Sequence, residues 1–262
     1  MESSNPVLSR YGKNGRGYAA MGDKPLSASG SLGQSYDDLE GMYNAPAASS
    51  MRTGRMTMDD VITKTGILFG ILVITGAFAW RANLGGGILI GSLLTAFALG
   101  MVISLKRAVN PTLVIIYAAL EGVVLGTISK VYELTYPGIV SQAVLATAVT
   151  FVGVLYAYRS GAIKITERAK KIAVAAIIGY VILGVVNIFG GGFVFNGQFG
   201  PLVSIFGVAL AAFFLALDFD LAAKAVATGV PQQESWRVGF GLMVSVVWLY
   251  LELLRLLSNL RR

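Results

Sequence analysis

Seven apolar stretches, each near the ~20 residues that a helix needs to cross the hydrocarbon of a bilayer, dominate this chain from residue 64 onward. They cover approximately 64–81, 86–105, 112–133, 138–158, 171–190, 201–223 and 240–259. In lipid a backbone must satisfy its own hydrogen bonds, so runs of this length and composition leave one economical answer, a bundle of helices. The expected fold class is an all-α membrane protein, a seven-transmembrane-helix bundle over residues 56–262. A tail, 1–55, precedes it. That tail is rich in Gly, Ser, Asn and Ala and lacks apolar periodicity, so it cannot bury enough surface to offset its ordering entropy, and disorder is expected. It also lacks the apolar core of a secretory signal peptide. Tyr11, Tyr18, Tyr36 and Tyr43 are scattered through it as ordinary tail composition or as contacts for a partner.

Punctuation between the runs follows backbone chemistry. Arg81 to Gly87, Lys106 to Pro111, Tyr136-Pro137-Gly138, Arg159 to Lys171, Gly190 to Pro201 and Pro231 to Glu234 separate successive spans. Thr57 reads as the N-cap of the first helix, with Asp59 and Asp60 in its positive first turn. Small residues four apart (Gly66/Gly70, Ala96/Gly100, Gly122/Gly126) would permit close helix approach. No internal repeat is evident.

Charge sets the expected orientation. Only 13% of residues are charged, against about 25% in a soluble domain. Residues 1–65 are electrically balanced, and the net charge of +7 arises in the membrane part. It lies in short breaks rather than on one water-facing patch, which argues for membrane-flanking anchors and against nucleic-acid binding. Lys106 and Arg107 mark one loop, and Arg159 to Lys171 carries five bases against Glu167. The alternate loops hold Arg81, then Lys130 with Glu133, then no charge. The asymmetry predicts a multi-pass cell-membrane protein with a cytoplasmic N-terminus. Seven crossings then leave Arg261-Arg262 outside, against the rule; a re-entrant or half-inserted last segment would remove the conflict.

The chain has neither histidine nor cysteine. Thiolate metal sites, Cys nucleophiles, His acid–base catalysis and a Ser-His-Asp triad are excluded, and no enzymatic activity or cofactor is expected. What remains chemically is four carboxylates inside the spans: Glu121, Asp218, Asp220 and Glu252. Each costs roughly 2.5–3.5 kcal/mol at mid-bilayer even on the lenient scale, so they should face the interior. One reading is structural, with Glu252–Arg255 and Asp220–Lys224 as ion pairs one turn apart. The other is functional: carboxylate oxygens suit hard cations such as Ca²⁺, and two close carboxyls share a proton and part only at raised pH. A weaker third reading makes Asp218 and Glu252 an aspartyl-type catalytic pair.

Three segments together resemble a known family. Leu215-Ala216-Leu217-Asp218-Phe219-Asp220, the run from Gly241 to Leu257 containing Trp248-Leu249-Tyr250-Leu251-Glu252, and Tyr117-Ala118-Ala119-Leu120-Glu121-Gly122 are similar to the Bax-inhibitor-motif, YccA-like membrane family in an actinobacterial style. The resemblance covers roughly residues 57–262. It implies seven helices with the last one central between two groups of three. It further implies a pH-sensitive Ca²⁺ leak gated by an acidic pair between helices six and seven, which falls on Asp218 and Glu252 as gate and metal ligands. Asp220 and Glu121 complete the candidate cation-binding set. A family arginine that latches the pair aligns with Ser104, so Lys106, Arg107 and Arg255 are the candidate latches. Other members regulate a membrane protease or suppress cell death, which gives the alternative of a non-transporting modulator with a membrane protease or other membrane protein as partner. The expected partners are thus the lipid bilayer and Ca²⁺ or protons.

The proposed pair meets a difficulty of depth. Asp218 and Glu252 are equidistant from residue 235, but the best turn signal is Pro231. A tight turn there would offset the acids by about 12 Å at 1.5 Å per residue. The sequence-based expectation is therefore that residues 224–239 run along the membrane surface as an amphipathic connector, which would let the two carboxyls meet.

Overall fold

A computed structural model describes residues 54–82, 84–106 and 109–262. Residues 1–53 of the predicted tail, with its tyrosines, and Arg107 lie outside the described residues, while Gly54 and Arg55 at its end are described. Seven helices long and apolar enough to cross a membrane are present: α1 (Met58–Ala82), α2 (Gly86–Leu105), α3 (Pro111–Thr135), α4 (Ile139–Arg159), α5 (Glu167–Phe189), α6 (Gly200–Ala227) and α7 (Ser235–Leu260). The protein is an all-α membrane bundle. A single helical turn, Phe193–Asn196, interrupts the link from α5 to α6.

The helices begin where the local chemistry dictates. The Thr57 amide and hydroxyl donate to Asp60 Oδ2 at 3.0 and 2.7 Å, and the Asp60 amide donates to Thr57 Oγ1 at 3.2 Å. This reciprocal capping starts α1 six residues before the apolar run does. Asn110 accepts from the Thr112 amide at 3.0 Å with Pro111 at the first helical position. Thr166 accepts from the Ala169 amide at 3.2 Å. Polar caps thus carry several helices past the hydrocarbon, because a helix ends where its backbone groups find other partners.

The last helix is the centre of the bundle. Its Met243, Val247, Tyr250 and Leu254 pack with Leu68, Val114, Ala118 and Ala143 from α1, α3 and α4. Its Leu242, Leu249 and Leu253 pack with Ala211 and Leu215 of α6. Peripheral α2 packs on α3, and α5 on α6. Ile88, Leu94 and Phe97 on α2, and Ile178, Ile182 and Phe189 on α5, remain exposed, as lipid-facing side chains should.

Helices α1 and α3 come into backbone contact at two glycines of α3. A Cβ built on Gly126 would lie 2.2 Å from the Gly76 carbonyl oxygen, and one on Gly122 would lie 2.0 Å from Thr75 Oγ1. Of the three small-residue pairs, only Gly122/Gly126 lets backbones touch. Gly66 and Gly70 face open space, and Gly100 abuts the Tyr117 ring.

Two expectations are corrected here. The connector between α6 and α7 does not lie along the surface: α6 runs to Ala227, a turn through Gly229 (φ +68°) and one 3₁₀ turn (Gln232–Glu234) follow, and α7 starts at Ser235. The turn is held by the residues that lead into α1. Met56 N donates to the Val230 carbonyl at 2.8 Å, Gln232 N donates to the Gly54 carbonyl at 2.8 Å, and Gln232 Nε2 donates to Asp60 Oδ1 at 2.7 Å. Through these three hydrogen bonds Val230 and Gln232 satisfy polar groups on Gly54, Met56 and Asp60, at and just before the start of α1, rather than in the lipid interface. Nor is the last segment re-entrant. Arg237 near its start reaches the Lys106 carbonyl at 2.8 Å, while Arg261 past its end reaches the Pro137 carbonyl at 3.0 Å and Gln142 Oε1 at 2.7 Å. These anchors lie on opposite faces of the bundle, so α7 crosses completely. Its terminal arginines are held by the α3–α4 turn, which answers the conflict with the charge rule by pairing rather than by turning back.

The face from which α1 starts also holds the Arg159–Lys171 connection. With that face cytoplasmic, a cysteine at Ser160 should be labelled by an impermeant thiol reagent only after the membrane is opened. The Cys-free background makes the assay clean, and labelling of intact cells would reverse the orientation.

Candidate intramembrane carboxylate sites

The two acids of the expected gate do not meet. Asp218, part-buried on α6, accepts a short hydrogen bond from the Ser245 hydroxyl and lies against Gly241, where a Cβ would sit 3.4 Å from its Oδ1. Glu252 lies two turns further along α7 from Ser245 and faces Gly207, eleven residues before Asp218 on α6. At 1.5 Å per residue these registers separate the carboxyls by between about 10 and 16 Å along the helix axes. The reason is the compact α6–α7 turn. The pairs that do face one another, 218 with 241 and 245, and 207 with 252, are all centred near residue 230. One cation cannot be held by both carboxylates across that distance, because oxygen ligands bind Ca²⁺ at about 2.3–2.6 Å. An aspartyl-type dyad fails on the same distance. Among the described residues no three acidic side chains gather into a metal cluster.

Glu252 is the most enclosed charge among the described residues, with 1% of its surface exposed. Trp248 Nε1, one turn earlier, donates to its Oε1 at 3.0 Å. Arg255 NH1, one turn later, lies 3.2 Å from Oε2. The same Arg255 nitrogen donates to the Tyr180 hydroxyl at 2.9 Å, and its guanidinium stacks 4.4 Å from the Phe195 ring centre. The space for this network is made by Gly207: a Cβ there would come within 2.5 Å of both Glu252 Oε2 and the Tyr180 hydroxyl. Next to it Asn259 donates to the Phe195 carbonyl at 3.1 Å and to Ser204 Oγ at 3.0 Å. Helices α5, α6 and α7 are thereby tied together around one ion pair.

Asp220 sits near the other end of α6 and pairs with Lys224 at 2.6 Å. The lysine is more than half exposed, so this is a rim pair, worth about 0.3–0.5 kcal/mol. Glu121 on α3 is part-buried, with the Tyr117 hydroxyl one turn earlier as its side-chain partner. The Tyr117 ring packs edge-on against Phe240 of α7, centroids 5.0 Å apart. Asp218 and Glu121 are thus the two intramembrane acids with hydroxyl partners and no ion pair among the described residues.

The latch candidates fare differently. Arg255 does hold an acid, Glu252, but not a pair of acids. Lys106 offers its carbonyl to Arg237, and its side chain is exposed. Ser104 donates back to the Gly100 carbonyl at 2.8 Å within its own helix, so its hydroxyl is already engaged there. Sequence reasoning missed Ser245, Tyr180, Trp248 and Gly207. Trp248 was detectable in principle, since it lies four residues before Glu252; the other three needed the register of α5, α6 and α7.

With this geometry in hand, comparison with known proteins is informative. The family model for Bax inhibitor 1 like proteins matches residues 5–262. The chain belongs to that family. No curated protein matches it. The match covers the whole described bundle, in agreement with the resemblance carried by the α3, α6 and α7 segments. In this Bax inhibitor 1 like membrane protein the helical register holds the acids Asp218 of α6 and Glu252 of α7 in separate sites.

Proposed function

We propose that this protein is a pH-sensitive cation leak for Ca²⁺ in which Asp218 acts as the titrating gate, with Glu121 as a second acid on the path. The observation that supports the reading is the setting of Asp218: a part-buried carboxyl at the α6–α7 contact, with a hydroxyl as partner and, among the described residues, no cation paired to it. An ionised carboxylate is costly in such a place. Protonated, it can sit against Ser245 and close the contact. Ionised, it draws water or a cation into the contact and loosens it. Conduction should therefore rise with pH as Asp218 loses its proton. Glu252 has no such freedom, because Arg255 neutralises it, and its role is to hold α7 to α5 and α6.

Calcium flux through purified protein in proteoliposomes tests this. Asp218→Asn should lower the flux and flatten its pH dependence, since it removes the titrating group. Glu252→Gln should leave the pH dependence in place. Flux that is the same at acidic and neutral pH in wild type and Asp218→Asn would remove the gate and turn attention to a non-transporting modulator of a membrane protease or other membrane protein.

A further inference from the structure

Between α1 and α4 lies a cavity of about 910 Å³ that none of the carboxylate sites uses. It is large, at the upper end of the ~300–1,000 Å³ of ordinary ligand sites. Its floor is Gly126 and Ser129 of α3 with Val247 and Tyr250 of α7. Its rim residues Val73, Val144 and Val152 are all more than half exposed, so the cavity opens sideways into the hydrocarbon. The polar groups inside are already satisfied. Ser129 and Tyr250 share a hydrogen bond of 2.6 Å, and Thr147 donates to the Ala143 carbonyl at 2.7 Å. Nothing along its length calls for water or an ion, which makes it a place for hydrocarbon.

One end differs. Trp80 and Arg81, at the end of α1 on the face opposite its start, also line the cavity, and Arg81 is exposed. Lys130 stands beside them, donating to the Trp80 carbonyl at 2.8 Å. Arg261 and Arg262 occupy the same face on the α3–α4 turn. Glu133, in the last turn of α3 at that face, accepts from the amides of Gly138 and Val140 at 2.6 and 3.1 Å. The polar mouth of an apolar cleft is thus cationic, at the depth where tryptophan and arginine meet lipid headgroups.

We propose that the α1–α4 cavity binds an acyl chain of an anionic phospholipid whose phosphate rests on Arg81. The chain fills a cleft that would otherwise leave the sides of α3 and α7 without packing partners. The guanidinium supplies paired donors to phosphate oxygens. The few cations that this face does carry, Arg81 and Lys130 among them, acquire a reason.

Native mass spectrometry of the full chain, stripped of lipid and offered phosphatidylglycerol or phosphatidylcholine of identical chains, tests the proposal. Wild type should retain phosphatidylglycerol about fivefold better, the effect of one basic residue at a charged headgroup. Arg81→Gln should lose that preference and Arg81→Lys should keep it. Ala148→Phe, or Ala77→Phe as a second way of filling the cleft, should reduce retention of both lipids. Equal retention of the two lipids by wild type would overturn the proposal. So would a preference that survives Arg81→Gln, or wild-type retention in both filled variants.

Discussion

Gly126→Ala is expected to destabilise the bundle by about 3 kcal/mol or more, at the upper end of what overpacking a filled interior costs. The methyl would sit 2.2 Å from the Gly76 carbonyl oxygen and 2.8–2.9 Å from its carbonyl carbon and Cα. The obstacle is backbone on a neighbouring helix, so no rotamer change relieves it. The helices α1 and α3 must move apart by more than 1 Å to restore ordinary contact, and that shift would strip packing from the rest of their shared face. Gly66→Ala and Gly70→Ala, which meet nothing within 4 Å, provide the internal control. They should be neutral or slightly stabilising through helix propensity. Thermal unfolding in detergent checks all three. A Gly126→Ala variant as stable as Gly70→Ala would show that α1 and α3 are not in backbone contact.

Arg255→Met should be nearly as damaging, about 3 kcal/mol. Removing one partner of a buried pair leaves the other charge uncompensated, at roughly 3–5 kcal/mol, and the 23% exposure of the Arg255 side chain places the expected loss at the lower end. Met keeps much of the apolar stem but removes the stack on Phe195 and the bond to the Tyr180 hydroxyl. Adding Glu252→Gln should recover a large part of the loss, because a neutral amide can still accept from Trp248 without a counter-charge. Equilibrium unfolding of the two single variants and the double variant gives the coupling directly. A loss under about 0.5 kcal/mol in Arg255→Met, the size of an ordinary surface change, would mean that Glu252 does not depend on this guanidinium.

The expected Arg255→Met result would assign Glu252 to architecture, which on the proposed function leaves Asp218 and Glu121 as the acids that titrate. The two ion pairs that spacing alone suggested, Asp220 with Lys224 and Glu252 with Arg255, are present in the structure because residues three or four apart share a helix face whatever the tertiary fold. The pairing of Asp218 with Glu252 needed two helices to be set at one relative height, and no local rule reports that height.

Sequence alone determined the number of helices, their approximate limits and their membrane setting, since a bilayer of given thickness admits few arrangements of a backbone and apolar runs are its signature. It also located every carboxylate that lipid would penalise. Tertiary structure decided which of them meet. The α6–α7 turn is tight because Gly54–Met56 and Asp60, from the other end of the chain, satisfy the polar groups of residues 230–232. That contact centres the hairpin near residue 230 instead of 235. A shift of the centre by five residues moves one helix past the other by ten, about 15 Å at 1.5 Å per residue, and that displacement sets Glu252 against Gly207 and Tyr180 and Asp218 against Ser245.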